Sequence, residues 1–406
     1  MQAHQQITQL RKEGQVDQAY ALAQANFVVG EQHPLPLLSA YAWVIYALIK
    51  READLLAEDK RTEAQIHPKL EKWLREYSRL FAHNHPDMVH SNLMRVVLKV
   101  SKNWSGFLTF AQWFGESRLD KIDFEGFKMD NGKTAMSIAE QFYTAIGAHL
   151  VKDHQHLNPA TIAWAESMLN KSAELFPNSQ FMPYRQAKWL MAKGEQEQAL
   201  SLMMGVVKRM SRVSWTWASL ACIWRDSDAE KAIICFSYAC ELARKEDEVA
   251  KVRFYRAQLL SQANRYEEAA LQGYKALQYR MAHQHRLPAE LLALKQSDWF
   301  NNADQTQLAA MKAKSVKQSA LALVGIHETP KATTNQGEKL KITGELRLRE
   351  GQDFAFVIAK GHPSVFVSPN LLAKQNGLVS GKEMSCWAVP STDKQGKPSL
   401  KAIGWA

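Results

Sequence analysis

The spacing of apolar residues divides the chain into two parts. Up to about residue 330, proline is sparse and apolar residues recur at intervals of three and four, which predicts α-helices. From residue 339 onward, short apolar runs alternate with polar positions and are separated by Gly, Pro and Asp, which predicts β-strands. The polar segment "PKATTNQGEK" begins at Pro330 between the two patterns, and it predicts an interdomain linker over residues 330–338.

Three short segments in the second half of the helical part align with one another: "AKGEQEQAL", "RDSDAEKAI" and "QANRYEEAA". The alignment places Ala199, Ala232 and Ala269 at equivalent positions, 33 and 37 residues apart. A period near 34 residues, with small side chains where two helices cross, is typical of tetratricopeptide repeats. Gly194 and Asn264 each precede an aligned alanine by five residues, where the turn between two helices is expected. Helix pairs of this kind stack into a solenoid.

The amino-terminal region contains the same element, because "LRKEGQVDQAYALAQ" places Gly14 five residues before Ala19. Between residues 52 and 180 the pattern stays helical but the period is lost, and "DKIDFEGFKMDNGK" has the composition of an inserted loop. The predicted domains are divergent tetratricopeptide-like repeats at 1–180, further such repeats at 181–329, the linker at 330–338 and a small β-domain at 339–406.

The β-domain contains five strand candidates: "KLKITGELRL", "DFAFVIA", "SVFVS", "EMSCWAV" and "SLKAIGW". Five strands in so short a segment favour a small closed barrel over a sandwich. Along the second candidate, Phe354 and Phe356 share one face, while Ala355 and Val357 share the other. A small antiparallel domain buries only one of these faces, so the second apolar face needs another role.

These segments resemble the cold-shock and related oligonucleotide-binding (OB) barrels. "DFAFV" is similar to the first ribonucleoprotein-like motif of that family, and "VFVS" is similar to the second. The resemblance covers about residues 340–406, and it implies that bases stack on the exposed sheet. The implied stacking residues are Phe354, Phe356 and Phe366. The residues implied to fill the barrel are Val357, Val365 and Val367.

The sequence also departs from the family pattern. Leu348 stands near the family's ligand tryptophan, Ser368 stands in place of a histidine and Pro369 in place of another aromatic residue. The alternative to base stacking is that the three phenylalanines pack against the helical array. For Trp387 and Trp405 the alternatives are packing and base stacking, and we favour the interpretation that they pack.

The chain carries a formal charge of +10 and a sequence pI near 9.2. This charge fits an anionic partner, nucleic acid first, and it equally fits a basic protein without such a partner. Residues 338–406 contain ten Lys and Arg against six Asp and Glu, a net charge of +4. Each candidate phosphate contact has a solvated surface charge as its alternative. The candidates are Lys341, Arg347, Arg349, Lys360, Lys397 and Lys401.

Several segments resemble catalytic or ligand-binding motifs but lack the residue spacing that those motifs require. "NGKT" has Phe127 where a phosphate-binding loop needs its first glycine. "HNHPDMVH" and "DHQH" lack the i, i+4 histidine pair of a zinc protease helix, so we expect no metal and no cofactor.

Neither a signal peptide nor a membrane span is predicted. Scattered cysteines without a CxxC pair predict a cytoplasmic protein with reduced thiols. The cysteines are Cys222, Cys235, Cys240 and Cys386.

Together these features predict a non-catalytic adaptor. The solenoid would hold an unknown protein partner in its groove, and the barrel would hold single-stranded RNA or DNA. The combination resembles bacterial tetratricopeptide-repeat proteins with a cold-shock-like domain from conflict loci of the tellurite-resistance and TOTE type, which implies defence or stress response. The resemblance rests on "LRKEGQVDQAYALAQ", "YAWVIYALIKRE" and "FVSPNLLAKQNGLVSGKEMSCWAVPSTDKQGKPSLKAI". The alternatives are a pure protein scaffold and an enzyme with an unrecognised site in residues 52–180.

Overall fold

The chain forms two compact units, Met1–Gly325 and Ile326–Ala406, in a computed structural model. The first unit is helical and the second is a closed five-stranded barrel, so the predicted fold class is confirmed. The predicted linker lies outside the described residues. The structure describes residues 2–80, 87–130, 132, 134–303, 308, 315–326, 339–348, 352–375, 377–392 and 398–406.

The helical unit begins with helices α1 to α8, which cover the region of divergent repeats. Their bounds are α1 (Ala3–Lys12), α2 (Val16–Ala25), α3 (Leu35–Ala57), α4 (Glu63–Leu80), α5 (Met88–Val100), α6 (Phe107–Phe114), α7 (Ile138–Asp153) and α8 (Pro159–Leu175). The predicted loop insertion lies between α6 and α7. It holds a short antiparallel pair of strands, β1 (Phe127–Lys128) and β2 (Thr134–Ala135).

The second half of the unit is more regular. Its helices are α9 (Phe181–Ala192), α10 (Gln196–Arg209), α11 (Ser214–Trp224), α12 (Ala229–Leu242), α13 (Ala250–Gln262), α14 (Tyr266–Ala282), α15 (Ala289–Lys295), α16 (Asp298–Asn301) and α17 (Lys317–Leu323). From α9 to α14 each helix packs against the next one in the chain. This is the arrangement of stacked helix pairs that the period near 34 residues predicts.

Small residues lie where the repeat alignment places them, at the crossings between helices. Each aligned alanine is fully buried, and so is the residue seven positions later on the same helix. The six buried positions are Ala199, Val206, Ala232, Ala239, Ala269 and Ala276. Small side chains at these points allow close approach of the helix axes, which confirms the predicted packing pattern.

The turn between α9 and α10 explains why a glycine stands five residues before Ala199. Gly194 has φ +82°, and the backbone N–H of Glu195 donates a hydrogen bond to the Leu190 carbonyl oxygen at 2.8 Å. This is the Schellman motif, which needs a left-handed residue just after the helix. Gly14 with φ +80° and Asn264 with φ +57° occupy the equivalent turns. The helices that precede Gly14, Gly194 and Asn264 therefore end in the same way, whereas the residue five positions before Ala232 is Ser227.

The barrel contains strands β3 (Leu340–Leu348), β4 (Ala355–Ile358), β5 (Val365–Val367), β6 (Glu383–Thr392) and β7 (Pro398–Trp405), with helix α18 (Pro369–Leu372) after β5. The strand order is β3-β4-β5-β7-β6, and β6 pairs with β3 to close the barrel. β5 and β7 pair in parallel, while the other neighbours are antiparallel. Closure leaves no free sheet edge, and this topology is that of an OB-type barrel.

The barrel interior is filled by alternate residues of the strands. The three valines predicted to fill it are all fully buried, which confirms that part of the prediction. The core residues are Ile342, Leu346, Ala355, Val357, Val365, Val367, Leu371, Cys386, Ala388, Leu400 and Ala402. Gly344 lets β3 and β4 approach closely, because a Cβ there would stand 2.3 Å from the carbonyl oxygen of Ile358.

Candidate functional site

Three phenylalanine side chains lie together on the outside of the barrel. Phe354, Phe356 and Phe366 alternate with the buried residues of β4 and β5, and each is partly exposed. The ring centroid of Phe354 lies 5.8 Å from that of Phe356 and 5.7 Å from that of Phe366, and the last two are 5.9 Å apart. These distances and the tilted planes are those of mutually packed aromatic rings. We call this group the phenyl cluster.

Cross-strand register brings the cluster together. Phe356 and Phe366 are directly opposed on the antiparallel strands β4 and β5. Phe354 lies two residues before Phe356, so its side chain is on the same face. Because opposed residues on neighbouring strands have Cβ atoms about 5 Å apart, the register holds the rings in contact, and each ring remains partly exposed.

Two cations extend the same row on either side. Arg347 of β3 is opposed to Phe356, and Lys401 of β7 is opposed to Phe366. Both side chains are exposed. A single row across four strands therefore reads Arg347, Phe356, Phe366 and Lys401, with a positive charge at each end and two phenyl rings between them. We call it the phenyl row.

A carboxylate lies next to this row. The Glu345 side chain is on the same face of β3 as Arg347, and its Oε1 lies 3.2 Å from the Arg347 Nε. The side chain of Arg347 is 63% exposed and that of Glu345 is 46% exposed. An ion pair this exposed contributes less than about 1 kcal/mol, so Arg347 can leave Glu345 for a stronger anionic partner.

The other predicted phosphate contacts are placed differently. Lys341 lies six residues before Arg347 on β3 and is opposed to Trp387 of β6, so it is not part of the phenyl row. Lys360 is exposed in the turn after β4. Arg349 and Lys397 lie outside the described residues.

The two tryptophans of the barrel differ from each other. Trp405 packs against the barrel core, and its Nε1 donates a hydrogen bond to the Leu371 carbonyl oxygen at 3.1 Å. Trp387 is 38% exposed on the outer face of β6, so the interpretation that it packs is wrong. The reason is the strand alternation, because its neighbours Cys386 and Ala388 take the interior positions.

Sequence reasoning did not find the carboxylates near the phenyl row. Glu345 and Glu383 are directly opposed on β3 and β6. No local sequence pattern connects these two positions, because their proximity depends on the register with which the barrel closes. The alternation of β3 alone could have placed Glu345 on the face of Arg347.

A separate cavity of about 340 Å³ lies between α4 and α6 in the helical unit. Trp104, Phe110 and Trp113 provide aromatic walls, with Glu71 and Arg75 at the rim. The Trp104 Nε1 donates a hydrogen bond to the Glu71 Oε1 at 3.2 Å, which holds both side chains in place. The full lining is Glu71, Leu74, Arg75, Ser78, Trp104, Gly106, Thr109, Phe110 and Trp113.

The histidine-rich segments do not form a metal site within the described part of the chain. His90 is buried, and its Nδ1 lies 2.7 Å from the Tyr77 hydroxyl. His154 Nδ1 lies 2.9 Å from the Val151 carbonyl oxygen. Over the described ranges, no three His, Cys, Asp or Glu side chains are close enough to share a metal ion. His83 and His85 lie outside those ranges, as does Lys133 of "NGKT".

Among the helices that the structure describes, none combines the length and apolar composition needed to cross a membrane.

Two solved structures that match this chain share little of its sequence. A monomeric mutant of IFIT1 with Gppp-AAAA is 13% identical, the alignment covers 76% of this chain and 77% of that chain, and the TM-score is 0.33. A second monomeric IFIT1 mutant, with m7Gppp-AAAA, is 13% identical over 76% of this chain and 68% of that chain, with a TM-score of 0.22. No curated protein matches the chain.

Two families match separate parts of the chain. Residues 180–320 match DUF7017, a domain of unknown function. Residues 341–406 match the family described as S1/CSD-like domain 2 of the TOTE conflict systems, which confirms the resemblance of the barrel to cold-shock-like domains of the TOTE type.

Proposed function

We propose that this protein binds single-stranded nucleic acid, RNA or DNA, on the phenyl cluster, and that it acts as a non-catalytic adaptor. The observation that carries the proposal is the phenyl row, in which Arg347 and Lys401 flank two partly exposed rings on the outside of the barrel. The match of residues 341–406 to an S1/CSD-like domain supports it.

Each part of the row suits a different part of a nucleotide. An open aromatic ring stacks against the flat face of any base, and one such stack contributes about 1–3 kcal/mol. The ammonium and guanidinium groups at the two ends suit phosphates, which position the strand without reading its sequence. Two or three stacked bases with two phosphate contacts give binding that weakens as the salt concentration rises.

The test is the affinity of the full chain for fluorescent single-stranded oligonucleotides, measured by anisotropy at several salt concentrations. We expect Phe354→Ala combined with Phe356→Ala to weaken binding at least about tenfold, because two stacking surfaces are lost. Val379→Ala is the matched control, since it also removes an exposed apolar side chain from the barrel unit. Absence of binding at low salt, or equal affinity of the double variant and the wild type, would favour the pure protein scaffold.

For the helical unit we propose that the cavity between α4 and α6 receives one large apolar side chain of a protein partner. Its volume of about 340 Å³ and its aromatic walls fit such a group, and Glu71 and Arg75 at the rim suit polar atoms of the flanking peptide. Saturation-transfer NMR with N-acetyl-tryptophanamide and N-acetyl-leucinamide tests this. Thr109→Trp, at the exposed rim, is expected to block the signal, and an unchanged signal would contradict the proposal.

The remaining parts of the proposal concern the biological setting. The family of the barrel supports a role in a conflict system, such as defence against foreign nucleic acid.

The competing enzyme hypothesis needs histidines and carboxylates that converge on a pocket within residues 52–180. Glu71 and Arg75 are the charged side chains of the cavity between α4 and α6, and aromatic rings form its walls, which favours binding over catalysis there.

A further inference from the structure

A second row of side chains runs beside the phenyl row on the outer face of the barrel. Glu345 precedes Arg347 by two residues on β3, and Ile358 follows Phe356 by two residues on β4. Glu345 and Ile358 are themselves directly opposed. The second row therefore lies about 7 Å from the first along the strands, since each residue advances a strand by about 3.3 Å.

This second row carries an unfavourable arrangement of charge. On its other side Glu345 is opposed to Glu383 of β6, and like charges at opposed positions destabilise a strand pair. The barrel as a whole has a net charge of +4. The Glu345 carboxylate beside Arg347 also repels the phosphates that this arginine is suited to bind. The part of a ligand that contacts the Glu345 carboxylate favourably is one that donates hydrogen bonds.

We propose that Glu345 accepts a hydrogen bond from the exocyclic amino group of a base stacked on Phe356, so that the site prefers cytosine over uracil or thymine. The inference rests on the proposed function and adds base preference to it. Ile358, which is 41% exposed, provides the apolar surface beneath the overhanging edge of that base.

The chemistry of the carboxylate gives the direction of the preference. An ionised Glu accepts hydrogen bonds and has none to donate. Cytosine presents its N4 amino group as a donor, and Glu or Asp is the side chain that pairs with it. Uracil and thymine present the O4 oxygen at the same position, and this oxygen repels a carboxylate. Adenine and guanine carry amino groups as well, but their self-stacking complicates a comparison of affinities.

The ion pair between Arg347 and Glu345 does not prevent this contact. Both side chains are exposed to solvent, so separating them costs less than about 1 kcal/mol. When a phosphate approaches, Arg347 turns toward it and the Glu345 carboxylate becomes free to face the base. One strand of nucleic acid can thus use both members of the pair.

The experiment compares two oligonucleotides of eight residues, oligo-dC and oligo-dU, whose bases differ at the edge that Glu345 would face. Their affinities for the full chain are measured by anisotropy at low salt and at a pH well above the protonation range of cytosine. We expect the wild type to bind oligo-dC at least about fivefold tighter, since a charged hydrogen bond at an exposed position contributes roughly 1 kcal/mol. Glu345→Gln should bind both with similar affinity, because an amide can donate to O4 as well as accept from N4.

Glu383→Gln is the matched control. This substitution removes one negative charge, as Glu345→Gln does. Because β3 lies between Glu383 and the phenyl cluster, Glu383→Gln should strengthen both affinities equally and keep their ratio. If Glu345→Gln keeps the wild-type ratio while the phenylalanine double variant loses binding, the inference on Glu345 is wrong and the proposed function stands. If the wild type binds neither oligonucleotide, the proposed function itself fails.

Discussion

Phe356 and Phe366 face each other across β4 and β5 with their ring centroids 5.9 Å apart. The same register places Arg347 beside the first ring and Lys401 beside the second. The pair is thus the centre of a row that combines aromatic and cationic groups in one line across four strands. Base stacking and phosphate binding can therefore act together on one short stretch of nucleic acid.

The ends of this row determine the salt dependence of binding. We expect Arg347→Ala and Lys401→Ala each to reduce the slope of log affinity against log salt by about 0.7, the value for one phosphate contact with a single strand. Lys341→Ala is the comparison, because it removes the same charge from a position opposed to Trp387 outside the phenyl row. Equal changes of slope in all three variants would indicate a diffuse electrostatic effect instead of defined contacts.

The crossing of helices at Ala232 predicts a strong dependence on side-chain size. Ala232 is fully buried in α12, and a larger side chain there forces neighbouring helices apart. We expect Ala232→Leu to lower the free energy of unfolding by about 1–3 kcal/mol, measured by urea titration. Ala229→Leu makes the same change at an exposed position of the same helix and should have little effect. If Ala232→Leu is as stable as the wild type, the crossing is looser than the burial indicates.

Two glycines of the same repeat should respond to alanine in opposite directions. Gly194 has φ +82°, so Gly194→Ala strains the Schellman turn and should cost about 1 kcal/mol of unfolding free energy. Gly205 lies inside α10, and nothing stands within 4 Å of a Cβ built there. Gly205→Ala should therefore stabilise the unit by about 0.5–1 kcal/mol. Parallel thermal unfolding of both variants measures the difference, and a shift of the same sign in both would contradict this explanation.

A buried histidine makes the stability of the helical unit depend on pH. His149 stacks on Phe107 with centroids 4.6 Å apart, and its Nδ1 lies 3.0 Å from the Asp153 Oδ2. Burial lowers the pKa of His149 below its ordinary value of 6.5, against the opposing effect of Asp153. The unfolded chain then binds a proton more readily than the folded chain, so stability is complete above about pH 6.5 and falls as the pH drops through the folded-state pKa.

The measurement is the urea midpoint as a function of pH for the wild type and two variants. His149→Gln should flatten the loss of stability below pH 6.5, whatever its effect on stability at neutral pH. His156→Gln, at an exposed position, should keep the wild-type profile. An unchanged slope in His149→Gln would show that another group is responsible for the acid sensitivity.

The local elements of this protein follow from the sequence alone. The sequence predicts the helices, the turn at Gly194 and the buried position of Ala199. These features are local consequences of helix geometry, which requires apolar residues at intervals of three and four, a left-handed residue after the helix and small residues where helices cross. Alternation likewise separates the face of Val357 from that of Phe356, because successive side chains on a strand point to opposite sides.

Which distant residues meet depends on the tertiary structure. Phe366 and Lys401 are neighbours because β5 and β7 pair in parallel, and Glu345 is opposed to Glu383 because β6 closes the barrel onto β3. The cavity walls at Glu71 and Trp104 come together in the same way, through the packing of separate helices. Such contacts depend on the register and packing of segments far apart in the chain, and a shift of one residue in a strand would reverse which face each side chain occupies.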